Sequence, residues 1–259
     1  MSQRTKTRRA TSEEEQLAPA DTYWSTSKRP FEILLFLTPF ILMYEIGLVF
    51  LLREDRGTIT NLAHKWIIVF MGYFNINLLG LSLPALAVIM VLLVWHVLAR
   101  NPWRARPQVL LFMALESVLL VVPLLVLARM VHQYLPLVGS EGEIIQGLGV
   151  TGRIAMSIGA GLYEELVFRM LIVFVLHTLV VDVLRFSNAA GLTVAILVSA
   201  LLFSFYHPVW DADGSLLMGR AAFYFAAGLW FGLLYVVRGF GIVVAVHAFY
   251  DMAILLDGD

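Results

Sequence analysis

The chain has 259 residues, of which 60% are hydrophobic and only 14% are charged, and its mean hydropathy is +0.83. Because an average soluble domain is roughly 45–50% apolar and about 25% charged, most of this surface must face lipid. The composition thus excludes a soluble enzyme and a disordered chain. A balance of 18 Lys and Arg against 19 Asp and Glu excludes a nucleic-acid partner, which requires a basic excess. Since cysteine is absent, any metal must be held by His, Asp or Glu.

The first 29 residues form the only polar stretch of any length. A basic cluster within residues 4–9 precedes three glutamates at residues 13–15, and no apolar periodicity is present. This composition predicts a disordered tail over residues 1–29. The tail is too long and too mixed in charge for the start of a signal peptide. The apolar segment that follows it is therefore expected to remain as a membrane anchor.

Long apolar runs follow one another along the rest of the chain. A helix needs about 20 mainly apolar residues to span a membrane, and continuous rather than alternating runs favour helices over a barrel. Spans are predicted at residues 31–52, 81–99, 109–131, within 153–181, 186–207, 221–237 and 242–256, with an interfacial or re-entrant helix at 66–74. The sequence therefore predicts an all-α, polytopic membrane helical bundle of about seven transmembrane helices.

The distribution of Lys and Arg predicts the orientation, because these residues are enriched in cytoplasmic loops. With the N-terminus inside, the inner side carries six cations in the tail together with Arg100, Arg104, Arg106, Arg185 and Arg238. The outer side carries Arg53, Arg56, Lys65, Arg129, Arg153 and Arg220. The bias predicts a cytoplasmic N-terminus, and the expected localisation of this multi-pass protein is the plasma membrane.

The fourth span carries three charged residues, Glu164, Glu165 and Arg169. A charge at membrane depth costs about 2.5–3.5 kcal/mol on insertion scales, so each requires a partner or a function. At about 100° per residue, Arg169 lies about 40° from Glu165 and about 140° from Glu164. Glu165 is thus the predicted ion-pair partner, and Glu164 is directed toward neighbouring spans, which the small residues at 157–161 allow to approach closely. The alternative is one buried salt-bridge network of all three groups, which leaves a charge unbalanced.

Two further motifs carry histidine. Pro208 disfavours helical geometry at His207, so this imidazole is expected at a helix end, from which it can enter a cavity. The alternative is an interfacial histidine in an aromatic belt beside Tyr206 and Trp210. His247 and Asp251 are four residues apart, which places them on one helix face. Such a pair can orient the histidine, face a metal, or simply satisfy itself within the helix.

Together these motifs place two histidines and a spare carboxylate on three apolar spans. Two His and one Glu form the ligand set of many hydrolytic zinc sites, in which the fourth position is left for water. Glu164, His207 and His247 are accordingly the candidate zinc ligands. The same groups can instead activate water directly as general base and acid. Hydrolysis is expected in both cases. Glu45 and Glu116 receive no catalytic role, and are expected to complete the polar core or to neutralise Arg129 or a histidine.

The succession Glu-Glu-x-x-x-Arg, Phe-x-x-x-His and His-x-x-x-Asp resembles the CPBP family, which comprises the type II CAAX prenyl endopeptidases and their bacterial relatives, the Abi-domain proteins. The resemblance covers residues 157–251. It implies a CPBP-like catalytic core at residues 151–259, preceded by an N-terminal transmembrane region at residues 30–150.

Within this core, the resemblance assigns a role to each motif residue. Glu164 corresponds to the glutamate that activates water, and Glu165 and Arg169 to its supporting partners. His207 and His247 correspond to the two essential histidines. Asp251 corresponds to a fourth polar position that is often Asn in prenyl endopeptidases. The site of those enzymes opens to the cytosol, whereas the charge count places His207 toward the outer end of its span.

The resemblance implies an intramembrane endopeptidase, with the lipid bilayer and a membrane-embedded or lipid-anchored protein or peptide as its partners. Other intramembrane proteases are excluded, because the chain lacks the His-Glu-x-x-His, Gly-x-Gly-Asp and Gly-x-Ser-Gly motifs. The alternative is a non-catalytic membrane scaffold, chaperone or immunity-type protein that uses the polar cluster for helix packing.

Overall fold

The computed structural model describes residues 22–54, 57–74, 83–132 and 147–256. Across these residues the chain is a bundle of apolar helices, which confirms the predicted all-α membrane fold. The helices are α1 (Tyr23–Thr26), α2 (Pro30–Phe50), α3 (Leu62–Gly72), α4 (Leu83–Ala99), α5 (Pro107–His132), α6 (Val150–Val183), α7 (Asn188–Tyr206), α8 (Met218–Arg238) and α9 (Phe240–Leu256). Between α2 and α3, the two-residue strands β1 (Arg53–Glu54) and β2 (Gly57–Thr58) pair in antiparallel fashion.

Five of the described helices are long and apolar enough to cross a membrane, namely α2, α5, α6, α7 and α8. Helices α4 and α9 are also apolar but have 17 residues each. That length gives about 26 Å at 1.5 Å per residue, close to the roughly 30 Å of a hydrocarbon core. Counting these two gives seven candidate spans among the described residues, in line with the prediction. Helix α3 has 11 residues, which is too short to span, and overlaps the predicted interfacial segment.

The helix that carries both glutamates, α6, is continuous over 34 residues. This length exceeds the roughly 20 residues that one straight span needs. Two stretches of wider, π-helical turns interrupt it, at Leu166–Ile172 and Leu179–Val183. The first begins directly after Glu165 and contains Arg169. Such turns are rare and often occur at functional sites, because they change the direction in which side chains leave the helix.

Helices α6 and α9 make an unusually close contact at Gly161. A Cβ atom at this position would lie 2.7 Å from the carbonyl oxygen of Val244 and 2.9 Å from the backbone nitrogen of Ala248. Glycine therefore permits an approach that a larger residue prevents, as predicted from the small residues that precede Glu164. The contact brings His247 against the glutamates of α6.

The chain alternates between two ends of the bundle. At one end, Gly239 between α8 and α9 lies beside Lys28, just before α2 begins. At the other end, the Arg153 guanidinium near the start of α6 donates a hydrogen bond of 2.8 Å to the carbonyl of Leu255 near the end of α9. Residues 28 and 239 are thus neighbours at one end, and residues 153 and 255 at the opposite end.

Part of the predicted N-terminal tail packs against the bundle. Residues 1–21 of this tail lie outside the described residues. In α1, the Tyr23 hydroxyl donates to the carboxylate of Glu116 on α5. Arg238 at the end of α8 bonds to the same carboxylate at 2.5 and 2.7 Å. The sequence suggested Arg129 or a histidine as the partner of Glu116, but the cation is Arg238, which only the packing of α8 against α5 brings close.

Candidate active site

The six predicted site residues come together where α6, the C-terminal end of α7 and α9 meet. Four of their side chains are buried, namely those of Glu164, Glu165, Arg169 and His247. His207 and Asp251 are partly exposed, with 17% and 24% of their side-chain surfaces accessible. The cluster therefore has a buried side, formed by α6 and α9, and a partly open side.

Glu165 and Arg169 form the buried ion pair that their spacing predicts. A terminal nitrogen of Arg169 lies 3.0 Å from Glu165 Oε1. The other terminal nitrogen donates to the carbonyl of Gly228 on α8 at 3.3 Å. The guanidinium carbon also lies 4.2 Å from the centre of the Phe203 ring. Arg169 thus joins three helices while it neutralises Glu165.

Glu165 also holds the ring of His247. The Nδ1 atom of His247 lies 2.7 Å from Glu165 Oε1, and the ring stacks on Phe231 at a centroid distance of 4.6 Å. Because the carboxylate oxygen is an acceptor, Nδ1 carries the proton and donates it in this bond. Asp251 was expected to orient His247, but its Oδ2 lies 3.5 Å from the opposite ring nitrogen, Nε2. The closer contact to the ring therefore comes from another helix.

His207 lies at the end of α7 in extended geometry, with φ −87° and ψ 163°, as expected for the residue before a proline. Its Nδ1 lies 2.8 Å from the carbonyl oxygen of Phe203, and its ring stacks on Tyr224 at 4.0 Å. A carbonyl only accepts, so Nδ1 donates here as well. The neutral ring therefore leaves Nε2 as an acceptor.

Glu164 faces both histidines. Its Oε2 lies 3.8 Å from Nε2 of His207 and 3.8 Å from Nε2 of His247. The Tyr206 hydroxyl donates to the other oxygen, Oε1, at 3.3 Å. Separations of 3.8 Å are too long for direct hydrogen bonds, and a single bridging water can span each of them. Both imidazole Nε2 atoms therefore lie within reach of a water molecule bound to the same carboxylate oxygen.

Tyr206 is the contact residue that sequence reasoning missed, since it was considered only as part of an aromatic belt. Its position next to His207 was the available signal. The direction of its hydroxyl depends on how α7 packs beside α6, which the local sequence does not reveal. The contact between Glu165 and His247 was missed for the same reason, because 82 residues separate the two positions.

A zinc ion suits the chemical types of these donors but not their spacing. Tetrahedral zinc with bonds of about 2.1 Å places neighbouring ligand atoms roughly 3.4 Å apart. The distances from Glu164 Oε2 to the two histidines are longer, at 3.8 Å. Among the described residues, no group of three or more His, Asp or Glu is arranged to hold a metal ion. As they stand, these side chains do not form a zinc ligand set.

The fold and the site define a polytopic helical membrane protein with a buried cluster of carboxylates and imidazoles. Residues 147–253, termed the Rce1-like domain after the family they resemble, match the family described as type II CAAX prenyl endopeptidase Rce1-like. The match includes all six site residues, covers less than half of the chain, and supports a CAAX-type intramembrane protease. Comparisons with curated proteins and with solved structures gave no match.

Proposed function

We propose that this protein is an intramembrane endopeptidase that hydrolyses a peptide bond through a water molecule activated by Glu164, His207 and His247. The observation that carries the proposal is the position of Glu164 Oε2, which lies 3.8 Å from Nε2 of His207 and 3.8 Å from Nε2 of His247. Both histidines are held through Nδ1, so each ring has its reactive nitrogen directed at the same carboxylate. The substrate is a membrane-embedded or lipid-anchored protein or peptide.

In the first step, Glu164 Oε2 takes a proton from water as the water oxygen forms a bond to the carbonyl carbon of the substrate. Nε2 of the neutral His207 ring accepts a hydrogen bond from the second O–H of this water and so fixes its position, without taking the proton. The carbonyl oxygen gains a negative charge, which Nε2–H of a protonated His247 stabilises. The carboxylates of Glu165 and Asp251, one on each ring nitrogen, can balance that imidazolium.

In the second step, the tetrahedral intermediate loses the bond between its carbon and the peptide nitrogen. The nitrogen leaves with the proton that Glu164 took from water, and the electron pair on the oxygen restores the carbonyl group. The products are a new carboxyl terminus and a new amino terminus, and Glu164 is again ionised. No step requires a metal ion.

Substitution of the converging residues tests this proposal. Glu164→Ala, His207→Ala and His247→Ala are each expected to lower cleavage by at least about 1,000-fold, and the double variants to be little worse, because residues that act as one unit lose activity non-additively. The assay uses purified protein in liposomes with a peptide ending in a prenylated CAAX sequence and with the same peptide lacking the prenyl group. A folded His247→Ala variant that retains cleavage would refute the shared site, whereas a folded wild-type protein that cleaves neither peptide would support a non-catalytic membrane scaffold.

The 3.8 Å separations between Glu164 and the two histidines, which are too long for shared zinc ligation, give a separate prediction about metal dependence. We expect activity to survive dialysis against EDTA or phenanthroline, with substoichiometric zinc in the purified protein. Metal content is measured on the same sample as activity. Loss of activity on chelation and its recovery with added zinc would show that Glu164 and the histidines move closer together to ligate the ion.

A further inference from the structure

Tyr206 connects the predicted general base to a helix outside the Rce1-like domain. Its hydroxyl oxygen accepts a hydrogen bond of 3.0 Å from the backbone N–H of Ala63, in the first turn of α3. The same hydroxyl donates to Glu164 Oε1 at 3.3 Å. The ring packs edge-on against Trp66 of α3 and Phe168 of α6, with centroid distances of 5.2 and 5.1 Å.

The direction of these two hydrogen bonds follows from the chemistry of the groups. A backbone amide only donates, so the tyrosine oxygen must accept the bond from Ala63. Its own hydrogen is then available to an acceptor, and Glu164 Oε1 is within reach. Amides in the first turn of a helix have no partner within the helix, which leaves the N–H of Ala63 available for this bond.

The two oxygens of the Glu164 carboxylate therefore have different surroundings. Oε1 is held by Tyr206. Oε2, which faces both histidines, has no hydrogen-bond partner among the described residues. Rotation of the carboxylate would exchange the two oxygens, and the bond from Tyr206 opposes that rotation.

We propose that Tyr206 is a positioning residue for the hydrolysis, and that it fixes Glu164 with Oε2 directed at the water shared with the histidines. The inference rests on the proposed function, because it assigns a second role around the same general base. It also ties the activity of the Rce1-like domain to α3, since Ala63 fixes the hydroxyl from the other side.

Tyr206→Phe tests the inference, because it removes the hydroxyl and keeps the ring against Trp66 and Phe168. We expect kcat to fall about 10- to 100-fold while KM changes by less than about twofold, since the lost interaction serves the chemical step. The bond from Tyr206 favours the ionised carboxylate, so its loss moves the acidic limb of the kcat profile to higher pH. Tyr235→Phe, which removes a hydroxyl from α8 away from the cluster, is the matched control and should match the wild type.

Two outcomes separate this inference from the proposed function. If Glu164→Gln is inactive and Tyr206→Phe keeps the wild-type kcat and pH profile, the role of Tyr206 is wrong while the function stands. If Glu164→Gln retains activity, the proposed function itself fails. Should Tyr206→Phe fold poorly, Tyr206→3-fluorotyrosine keeps the shape and strengthens the donor. It should shift the acidic limb to lower pH, and an unchanged limb would overturn the inference.

Discussion

Two adjacent glutamates take different partners because successive residues leave a helix about 100° apart. Glu165 contacts Arg169 and the Nδ1 atom of His247, both within 3.0 Å. Glu164 faces the Nε2 atoms of the histidines and the Tyr206 hydroxyl, and has no cation at hydrogen-bond distance among the described residues. One glutamate therefore stabilises the cluster, and the other is available for chemistry.

The different roles of Glu165 and Glu164 predict different effects for two substitutions. Arg169→Ala leaves the fully buried carboxylate of Glu165 without its guanidinium partner. Removing one partner of a buried ion pair lowers the free energy of unfolding by about 3–5 kcal/mol, so yield and melting temperature should fall. Glu164→Gln keeps the shape of the side chain and removes the basic oxygen, so the protein should fold normally and be inactive. Melting temperatures in detergent and cleavage in liposomes distinguish the two. Comparable melting temperatures for Arg169→Ala and the wild type would contradict the ion-pair role.

At the scale of helices, the site depends on how closely α6 and α9 approach. Gly161 permits this contact because the backbone of α9 lies where a side chain would begin. Glu164 and Glu165 follow three and four residues later, within the next helical turn, and therefore lie beside His247. Helix packing thus sets the distances in the site more than any single polar interaction does.

Gly161→Ala should accordingly reduce both stability and activity. The added methyl group would lie within 3.0 Å of backbone and side-chain atoms of α9, so the helices must separate. Overpacking of this kind costs about 1–3 kcal/mol. Gly72→Ala, where a Cβ atom meets nothing within 4 Å, is the matched control. A wild-type melting temperature and cleavage rate for Gly161→Ala would show that the contact is looser than described.

The two parts of the N-terminal segment are expected to contribute differently to stability. Residues 22–29 carry α1, whose Tyr23 hydroxyl bonds to Glu116 beside Arg238. Burial and the nearby carboxylate raise the pKa of Tyr23, so its hydroxyl stays a donor across the physiological range. Deletion of residues 1–21 should leave cleavage and stability unchanged, whereas deletion of residues 1–29 should lower the melting temperature. Equal melting temperatures for the two truncations would refute a stabilising role for α1.

For the whole molecule, the alternation of the helices agrees with the distribution of charge. The end of the bundle that holds Lys28 and Gly239 is the one with the larger excess of Lys and Arg in the sequence. The opposite end holds the contact between Arg153 and Leu255. His207, at the end of α7, lies toward this second end, so the partly open side of the site is on the side with fewer cations.

The positive-inside bias therefore predicts a cytoplasmic N-terminus and a site that opens away from the cytoplasm. Reporter fusions test this at two loops on opposite sides of the bundle. A fusion after Arg104 should give a cytoplasmic signal, and a fusion after Asp213 an external one. A cytoplasmic signal after Asp213 would reverse the orientation and would bring the site to the side on which prenyl endopeptidases act.

Composition, the apolar runs and the motif spacing were sufficient to predict the membrane class, the approximate positions of the helices and the members of the polar cluster. Composition and the length of apolar runs are local properties, and a helix in lipid satisfies its own backbone, so the spans could be predicted without knowledge of their packing. The pairing of Glu165 with Arg169 and the end of α7 at His207 were predictable for the same reason, because they depend on spacing within one helix and on one proline.

The groups that meet across helices could not be predicted from such local properties and became known from the packed bundle. Three contacts join residues that are far apart in the chain. Glu165 bonds to His247, Ala63 is linked through Tyr206 to Glu164, and Glu116 pairs with Arg238. Each depends on the rotation and depth of one helix against another. Those are set by close contacts such as that at Gly161, because helices in lipid associate through packing of small residues and interhelical hydrogen bonds.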